Sequence, residues 1–278
     1  GDWYKRQWLA HWQRGDEFII GREYHIFLNE AAGAAAFGGA SPWPVEVDSN
    51  GSLAPDVVRE SDQHHPVSRL LCLENTVNGC VQPVELVDKL AATGRDCGLA
   101  VHLDGARLFN AAVACGVDIT AFLNHVDTVS LCLSTGRGAP AGTVLAGARA
   151  TIARAFRARK MLGGGMRQVG HLAAAGLHAL EHNIARLADD HARAERVAEG
   201  LRAIDALSLT QDHTSARATP PPRHPDPPSA PPLPMARVSP PRAARFATPL
   251  PAPPTRISCC FSCTTGTGAS GEILSMSP

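Results

Sequence analysis

The first 212 residues alternate between short apolar runs and longer stretches with apolar residues on one face. The short runs have the length of buried strands and predict strands at 16–20, 69–73, 98–102, 128–133 and 142–146. The longer stretches predict helices near 26–32 and at 84–93, 148–161, 169–182 and 184–201. Strands that alternate with helices are typical of a mostly parallel sheet covered by helices on both faces, so we predict an α/β fold.

The composition changes sharply near residue 212, where this periodicity ends. Residues 213–278 are rich in Ser, Ala and Arg and contain repeated proline pairs. Proline blocks helix interiors and central strands, and the segment offers few apolar residues to bury. We therefore predict a partial globular domain at 1–212 and a Pro-rich disordered tail at 213–278 with local polyproline II character. A frameshifted or alternatively spliced origin explains this tail better than an SH3- or WW-binding role.

Composition narrows the function classes only slightly. The chain of 278 residues has a net charge of zero and no apolar run that could span a bilayer, so nothing argues for nucleic acid or a membrane as partner. It begins with glycine and without a signal peptide, and we expect it to start inside a longer reading frame. The cysteines lack metal-ligand spacing, which predicts no metal site and a reduced, cytoplasmic protein.

Two predicted strands end in residues that could bind a ligand. Residues 102–104 read His-Leu-Asp, and residues 133–135 read Leu-Ser-Thr. In α/β sheets, ligands collect at the carboxyl ends of the strands. Taken alone, an Asp-Gly pair such as the one at 104–105 is also typical of a turn or a helix cap.

The residues around both strand ends resemble the threonine aldolases, a family of fold-type-I pyridoxal-phosphate enzymes. Residues 104–110 read Asp-Gly-Ala-Arg-Leu-Phe-Asn, and residues 134–140 read Ser-Thr-Gly-Arg-Gly-Ala-Pro. The resemblance covers roughly residues 8–209. It implies an incomplete large domain of the aspartate aminotransferase type and pyridoxal 5′-phosphate as cofactor. It also implies cleavage of L-threonine or L-allo-threonine to glycine and acetaldehyde, in a homodimer or homotetramer.

The resemblance assigns cofactor-binding roles to three residues near the strand ends. Asp104 would keep the pyridine nitrogen of the cofactor protonated through a charge-assisted hydrogen bond. Arg107 would hold the phenolate oxygen or the substrate carboxylate, unless it forms an ion pair on a helix surface. Ser134 belongs to the cofactor turn and is the third candidate.

Residues 25–30 match the His-Ile-x-x-x-Glu element of the same family. The imidazole of His25 would stack on the pyridine ring, and Glu30 would lie close to the active site. Without the resemblance, a lone histidine before a helix carries little information.

Two catalytic positions depart from the family pattern. Thr135 stands where the family has its Schiff-base lysine, and Val77 stands where it has a histidine in Glu-Asn-Thr-His-Asn. Threonine has no amine to bind the cofactor. Valine cannot accept the β-hydroxyl proton that retro-aldol cleavage removes.

A basic segment at 156–168 also resembles the family, in which this loop borders the active site of a neighbouring subunit. Lys160 and Arg167 would add positive charge near a phosphate or a substrate carboxylate. A basic helix end before a run of glycines explains the same charges.

Two family segments have no counterpart in this sequence. One is the Gly-Thr-Met-Gly-Asn loop that binds the cofactor phosphate, and the other is the small C-terminal domain, which is missing after about residue 209. Together with Thr135 and Val77, these losses favour an aldolase-family chain whose activity is impaired or lost. Two alternatives stay open, namely activity with a noncovalently held cofactor, and a non-catalytic subunit that pairs with an intact homologue and modulates it.

Overall fold

The computed structural model describes residues 10–54 and 63–204, together with the backbone of three short strands beyond them. The strands are β1 Glu17–Gly21, β2 Ser41–Val45, β3 Ser68–Glu74, β4 Ala100–Asp104, β5 Thr128–Cys132, β6 Thr143–Gly147, β7 Ser208–Leu209, β8 Ala218–Thr219 and β9 Glu272–Met276. The α-helices are α1 His25–Leu28, α2 Gly33–Gly38, α3 Val84–Asp96, α4 Leu108–Cys115, α5 Arg149–Met161, α6 Gly170–His182 and α7 Leu187–Arg202, with a 3₁₀ turn at Ile119–Phe122.

A seven-stranded sheet in the order β2-β1-β3-β4-β5-β6-β9 organises the chain. The pairs from β2 to β5 are parallel, whereas β6 runs antiparallel to β5 and β9 antiparallel to β6. All five residues of β1 are buried, as expected for a strand covered on both faces. The prediction of a mostly parallel α/β sheet is confirmed, and the carboxyl ends of β1, β3, β4 and β5 lie at one edge.

The predicted strands all occur, each within about two residues of its predicted bounds, but two details of the prediction were wrong. The helix predicted near 26–32 is split into α1 and α2, because Ala31 and Ala32 adopt left-handed backbone conformations with φ of 50° and 53°. Strand β2 was not predicted, because Pro42 and Pro44 argue against a strand. These prolines are tolerated because β2 is the edge strand of the sheet.

Strands β8 and β9 lie within 213–278, where the sequence predicts a disordered tail. The remainder of that tail lies outside the described residues, and for it disorder stays a prediction. Within the described part of the chain, no helix is long and apolar enough to cross a membrane.

Candidate functional site

Three neighbouring strands bring polar side chains to the same edge of the sheet. Glu74, the last residue of β3, pairs in register with Asp104, the last residue of β4. Asp104 pairs in turn with Ser130 of β5. The turn that follows β5 contains Ser134 and Thr135, so this edge brings together Asp104, Ser134 and Thr135, three of the residues that the sequence singled out.

Asp104 is buried, and only one of its two carboxyl oxygens has partners. Oδ1 accepts hydrogen bonds from the backbone N–H of Ala106 at 3.1 Å and from the Ser130 hydroxyl at 3.2 Å. Oδ2 is buried and has no hydrogen-bond partner among the described residues. Burial raises the pKa of Asp104 to about 6, although these hydrogen bonds and the charge of His25 act in the opposite direction. The free Oδ2 fits a ligand that offers one N–H donor, such as a protonated pyridine nitrogen.

Glu74 also belongs to this site, although the sequence did not single it out as a candidate residue. Its Oε2 accepts a hydrogen bond of 2.7 Å from the backbone N–H of His25. Burial first, and then the charge of Asp104, raise the pKa of Glu74 well above its usual range. The available sequence signal was its place at the end of a predicted strand, one strand away from Asp104.

His25 and Glu30 form a hydrogen-bonded pair next to this edge. The two atoms, His25 Nε2 and Glu30 Oε1, lie 3.0 Å apart, with Glu30 buried and His25 half-exposed. This hydrogen bond raises the pKa of His25; burial opposes the shift, and the charges of Glu30 and Asp104 add to it. Glu30 therefore orients an imidazole that favours its charged form.

Thr135, which the sequence resemblance places at the position of the family lysine, contacts the preceding strand. Its Oγ1 lies 3.0 Å from Cys132 Sγ, and Ser134 Oγ lies 3.2 Å from the same sulfur. Burial raises the pKa of the Cys132 thiol, but the hydrogen bonds of the two hydroxyls and the nearby backbone outweigh it, so its net pKa is lower than usual. The turn thus presents hydroxyls and a polarised thiol instead of an amine.

Arg137 is a residue of this turn that the sequence analysis missed. It is fully buried, and its guanidinium lies 4.5 Å from the ring centroid of Phe109. Nη2 donates to the Ala106 carbonyl at 3.4 Å, whereas Nε and Nη1 have no hydrogen-bond partner among the described residues. Burial lowers the pKa of Arg137 to about 10. An arginine between two glycines is typical of an exposed turn, so the sequence did not indicate that Arg137 is buried.

Val77 lies in the hydrophobic core and packs against a neighbouring turn. Gly51 has a φ of +79°, and a Cβ at that residue would lie only 2.3 Å from Val77 Cγ1. The side chain at position 77 is therefore enclosed by packing, and it presents no group to the site.

Three basic candidates have exposed side chains. Arg107 is the residue before α4, Lys160 lies in the last turn of α5, and Arg167 follows the glycines after that helix. In the described part of the chain they make no side-chain hydrogen bond or ion pair. Their contacts with a cofactor, a substrate or a neighbouring subunit stay predictions.

Comparisons with known proteins agree on one family. The family model described as Beta-eliminating lyase matches residues 7–219. The low specificity L-threonine aldolase of Escherichia coli K12 is 45% identical over 208 residues, which are 73% of this chain and 62% of the relative. The low-specificity L-threonine aldolase 1 of Arabidopsis thaliana is 38% identical over 205 residues, which are 70% of this chain and 57% of the relative. The chain thus spans about 60% of the length of these relatives.

Solved structures show the same fold at lower sequence identity. The Leishmania major threonine aldolase superposes with a TM-score of 0.66 at 19% identity, covering 77% of this chain and 65% of its own. A tetra-mutant aspartate aminotransferase of Thermus thermophilus gives a TM-score of 0.57 at 17% identity, covering 78% of this chain and 60% of its own. These similarities bear out the predicted fold-type-I architecture.

Proposed function

The chain belongs to the beta-eliminating lyase family and, within it, to the threonine aldolases, and from this premise we propose that it keeps a site for the pyridine ring of pyridoxal 5′-phosphate while its aldol cleavage is impaired or lost. In the family, the substrate is L-threonine or L-allo-threonine and the products are glycine and acetaldehyde. The proposal separates two properties that an intact aldolase combines, namely recognition of the ring and its covalent attachment.

Ring recognition is supported by Asp104. Its buried and unpartnered Oδ2 is suited to accept a hydrogen bond from the ring nitrogen and to hold a proton there. His25, oriented by Glu30, is available to cover one face of the ring. When bound, the cofactor would supply an electron sink for cleavage of the Cα–Cβ bond.

The proposed impairment rests on one observation. Thr135, which the resemblance places at the position of the family lysine, has a hydroxyl that contacts Cys132. A hydroxyl at this position cannot form the covalent bond that an amine forms with the cofactor aldehyde. Val77 reinforces the argument, because a buried aliphatic side chain cannot accept the β-hydroxyl proton.

A comparison of the chain with its Thr135→Lys variant tests this proposal. Both proteins are incubated with pyridoxal 5′-phosphate, reduced with borohydride and mapped by peptide mass spectrometry, and acetaldehyde release is measured with both threonine isomers. We expect bound cofactor without a reduced adduct in the natural chain, an adduct at position 135 in the variant, and acetaldehyde at background level in the natural chain. A borohydride-fixed adduct together with rapid acetaldehyde release by the natural chain would overturn the proposal. Rapid release without any adduct, little changed in the variant, would instead support catalysis with a noncovalently held cofactor.

A non-catalytic subunit is the second candidate function, and exposed apolar side chains favour it. The most exposed are Leu28, Phe37, Met161 and Val197, with 58%, 51%, 71% and 57% of their surface accessible. Apolar groups that are exposed in one chain can be buried against another chain. Co-expression with an intact threonine aldolase should give a mixed oligomer, and a Phe37→Ser and Met161→Ser double variant should weaken it. Recovery of the natural chain solely as a monomer or an aggregate would exclude this role.

A further inference from the structure

Glu74 lies beside Asp104, and the family comparison leaves it without a role. The two residues pair in register at the ends of adjacent parallel strands. Neighbouring strands lie about 4.8 Å apart, and paired residues point to the same face of the sheet. Two carboxyl groups therefore stand side by side at the edge where the ring would bind.

Glu74 also holds the start of α1. The backbone N–H of His25 is the first of this helix, and it donates to Glu74 Oε2 at 2.7 Å. The residue before it, Tyr24, provides no side-chain cap. Glu74 thus supplies from β3 the acceptor that a capping residue usually supplies from the helix itself. This contact ties His25 to the strand that neighbours Asp104.

The surroundings of Glu74 favour a single negative charge for the pair. The titratable groups next to Glu74 are Tyr24 and His25 on the α1 side and Asp104 on β4. Cys72 on β3 and Glu30 act on Asp104 or are influenced by it. His25 is the one base among them. Among the described residues, Asp104 has two donors for its charged form, from Ala106 and Ser130, whereas Glu74 has the one donor of His25. Two charged carboxylates at this separation in a buried edge repel strongly, so the proton resides on Glu74.

We propose that Glu74 is a positioning residue that works as an uncharged carboxylic acid: it holds His25 at the end of β3 and leaves Asp104 as the charged member of the pair, available to a bound pyridine ring. The statement about the ring rests on the proposed function. The statements about the proton and about His25 concern the chain alone and hold without any cofactor.

Carbon-13 NMR of carboxyl-labelled chain without cofactor tests the protonation state. Glu74 should titrate at higher pH than Asp104, and Glu74→Gln should leave the titration midpoint of Asp104 unchanged, because a neutral group replaces a neutral group. If Glu74 were charged, its removal would lower the midpoint of Asp104, and that result would overturn the proposal. Exposed Glu85 provides the matched control, since Glu85→Gln should also leave Asp104 unchanged while removing a different signal.

A second measurement separates positioning from charge. Glu74→Ala removes the acceptor for the His25 N–H and should shift the His25 ring signals, whereas Glu74→Gln should preserve them. If the natural chain binds pyridoxal 5′-phosphate, the alanine variant should bind about tenfold more weakly and the glutamine variant within about twofold. Equal weakening by both variants would contradict the neutral role. Absence of cofactor binding in the natural chain would refute the proposed function, and the two NMR results would still decide the role of Glu74.

Discussion

The hydroxyl of Thr135 lies 3.0 Å from the thiol of Cys132, so the residue that the resemblance places at the family's lysine position contacts the end of strand β5. Ser134 makes a second contact with the same sulfur at 3.2 Å. Hydrogen-bond donors stabilise a thiolate more than a thiol, which explains the lowered pKa of Cys132. The two hydroxyls that follow β5 therefore polarise the sulfur at its end.

Removal of the hydroxyl at position 135 should raise the pKa of Cys132. Thr135→Val keeps the shape of the side chain and deletes one of the two donors, so the thiolate loses part of its stabilisation. The pH dependence of iodoacetamide alkylation, followed for each cysteine by peptide mass spectrometry, measures this midpoint. In the natural chain, Cys132 should titrate below Cys115, whose pKa is raised by burial. An unchanged Cys132 midpoint in Thr135→Val would show that the hydroxyl does not act on the thiol.

Placing a histidine at position 77, where the resemblance predicts one for the family, should destabilise the chain. Val77 is buried against Gly51, and an imidazole there would be overpacked and would bring buried nitrogens without partners. We expect Val77→His to lower the free energy of unfolding by about 2–4 kcal/mol. Val117→His is the matched control, since Val117 is 38% exposed, and it should change the stability by less than about 0.5 kcal/mol. Equal stability of the two variants in urea unfolding would mean that position 77 can open toward the site.

Much of the fold could be predicted because buried parallel strands carry continuous apolar runs. Strand β1 shows this directly, and Asp104 could be placed at the ligand edge because it follows such a run. Strand β2 could not be predicted, since its prolines are acceptable only at an edge, and the edge is defined by the order of strands that are distant in sequence.

The site could be predicted only where a residue type has a fixed meaning at a strand end. The direction of a side chain depends on its neighbours in space, and three positions illustrate this. Val77 points into the core, Arg137 is buried although glycines flank it, and Glu74 gains its role from Asp104 on another strand and from the His25 backbone. None of these relationships has a local sequence signal.

Replacing Arg137 by leucine should stabilise the chain. Two of the three guanidinium nitrogens are buried without hydrogen-bond partners among the described residues, whereas leucine would keep an apolar contact with Phe109. Because an isolated buried charge is costly, we expect Arg137→Leu to raise the free energy of unfolding by about 1–3 kcal/mol in urea. Arg95→Leu removes a half-exposed arginine that pairs with Asp127 and should cost less than about 1 kcal/mol. A loss of stability in Arg137→Leu would show that the guanidinium makes a net favourable contact.

Replacing Asp104 by asparagine should make the chain more stable at neutral pH and abolish recognition of the pyridine ring. Burial raises the pKa of Asp104 from 3.8 to about 6, so the folded chain holds this proton more tightly than the unfolded chain. The resulting stability is fully present below about pH 4 and is lost as the pH rises through 6, by an amount on the order of 3 kcal/mol. Asparagine is neutral at every pH and does not undergo this loss.

Urea unfolding at pH 4, 5, 6 and 7 should therefore show that the stability advantage of Asp104→Asn grows with pH. Asp96→Asn, at an exposed helix end, is the control and should follow the natural chain. An advantage that is the same at pH 4 and pH 7 would mean that the pKa of Asp104 in the folded chain does not lie near 6.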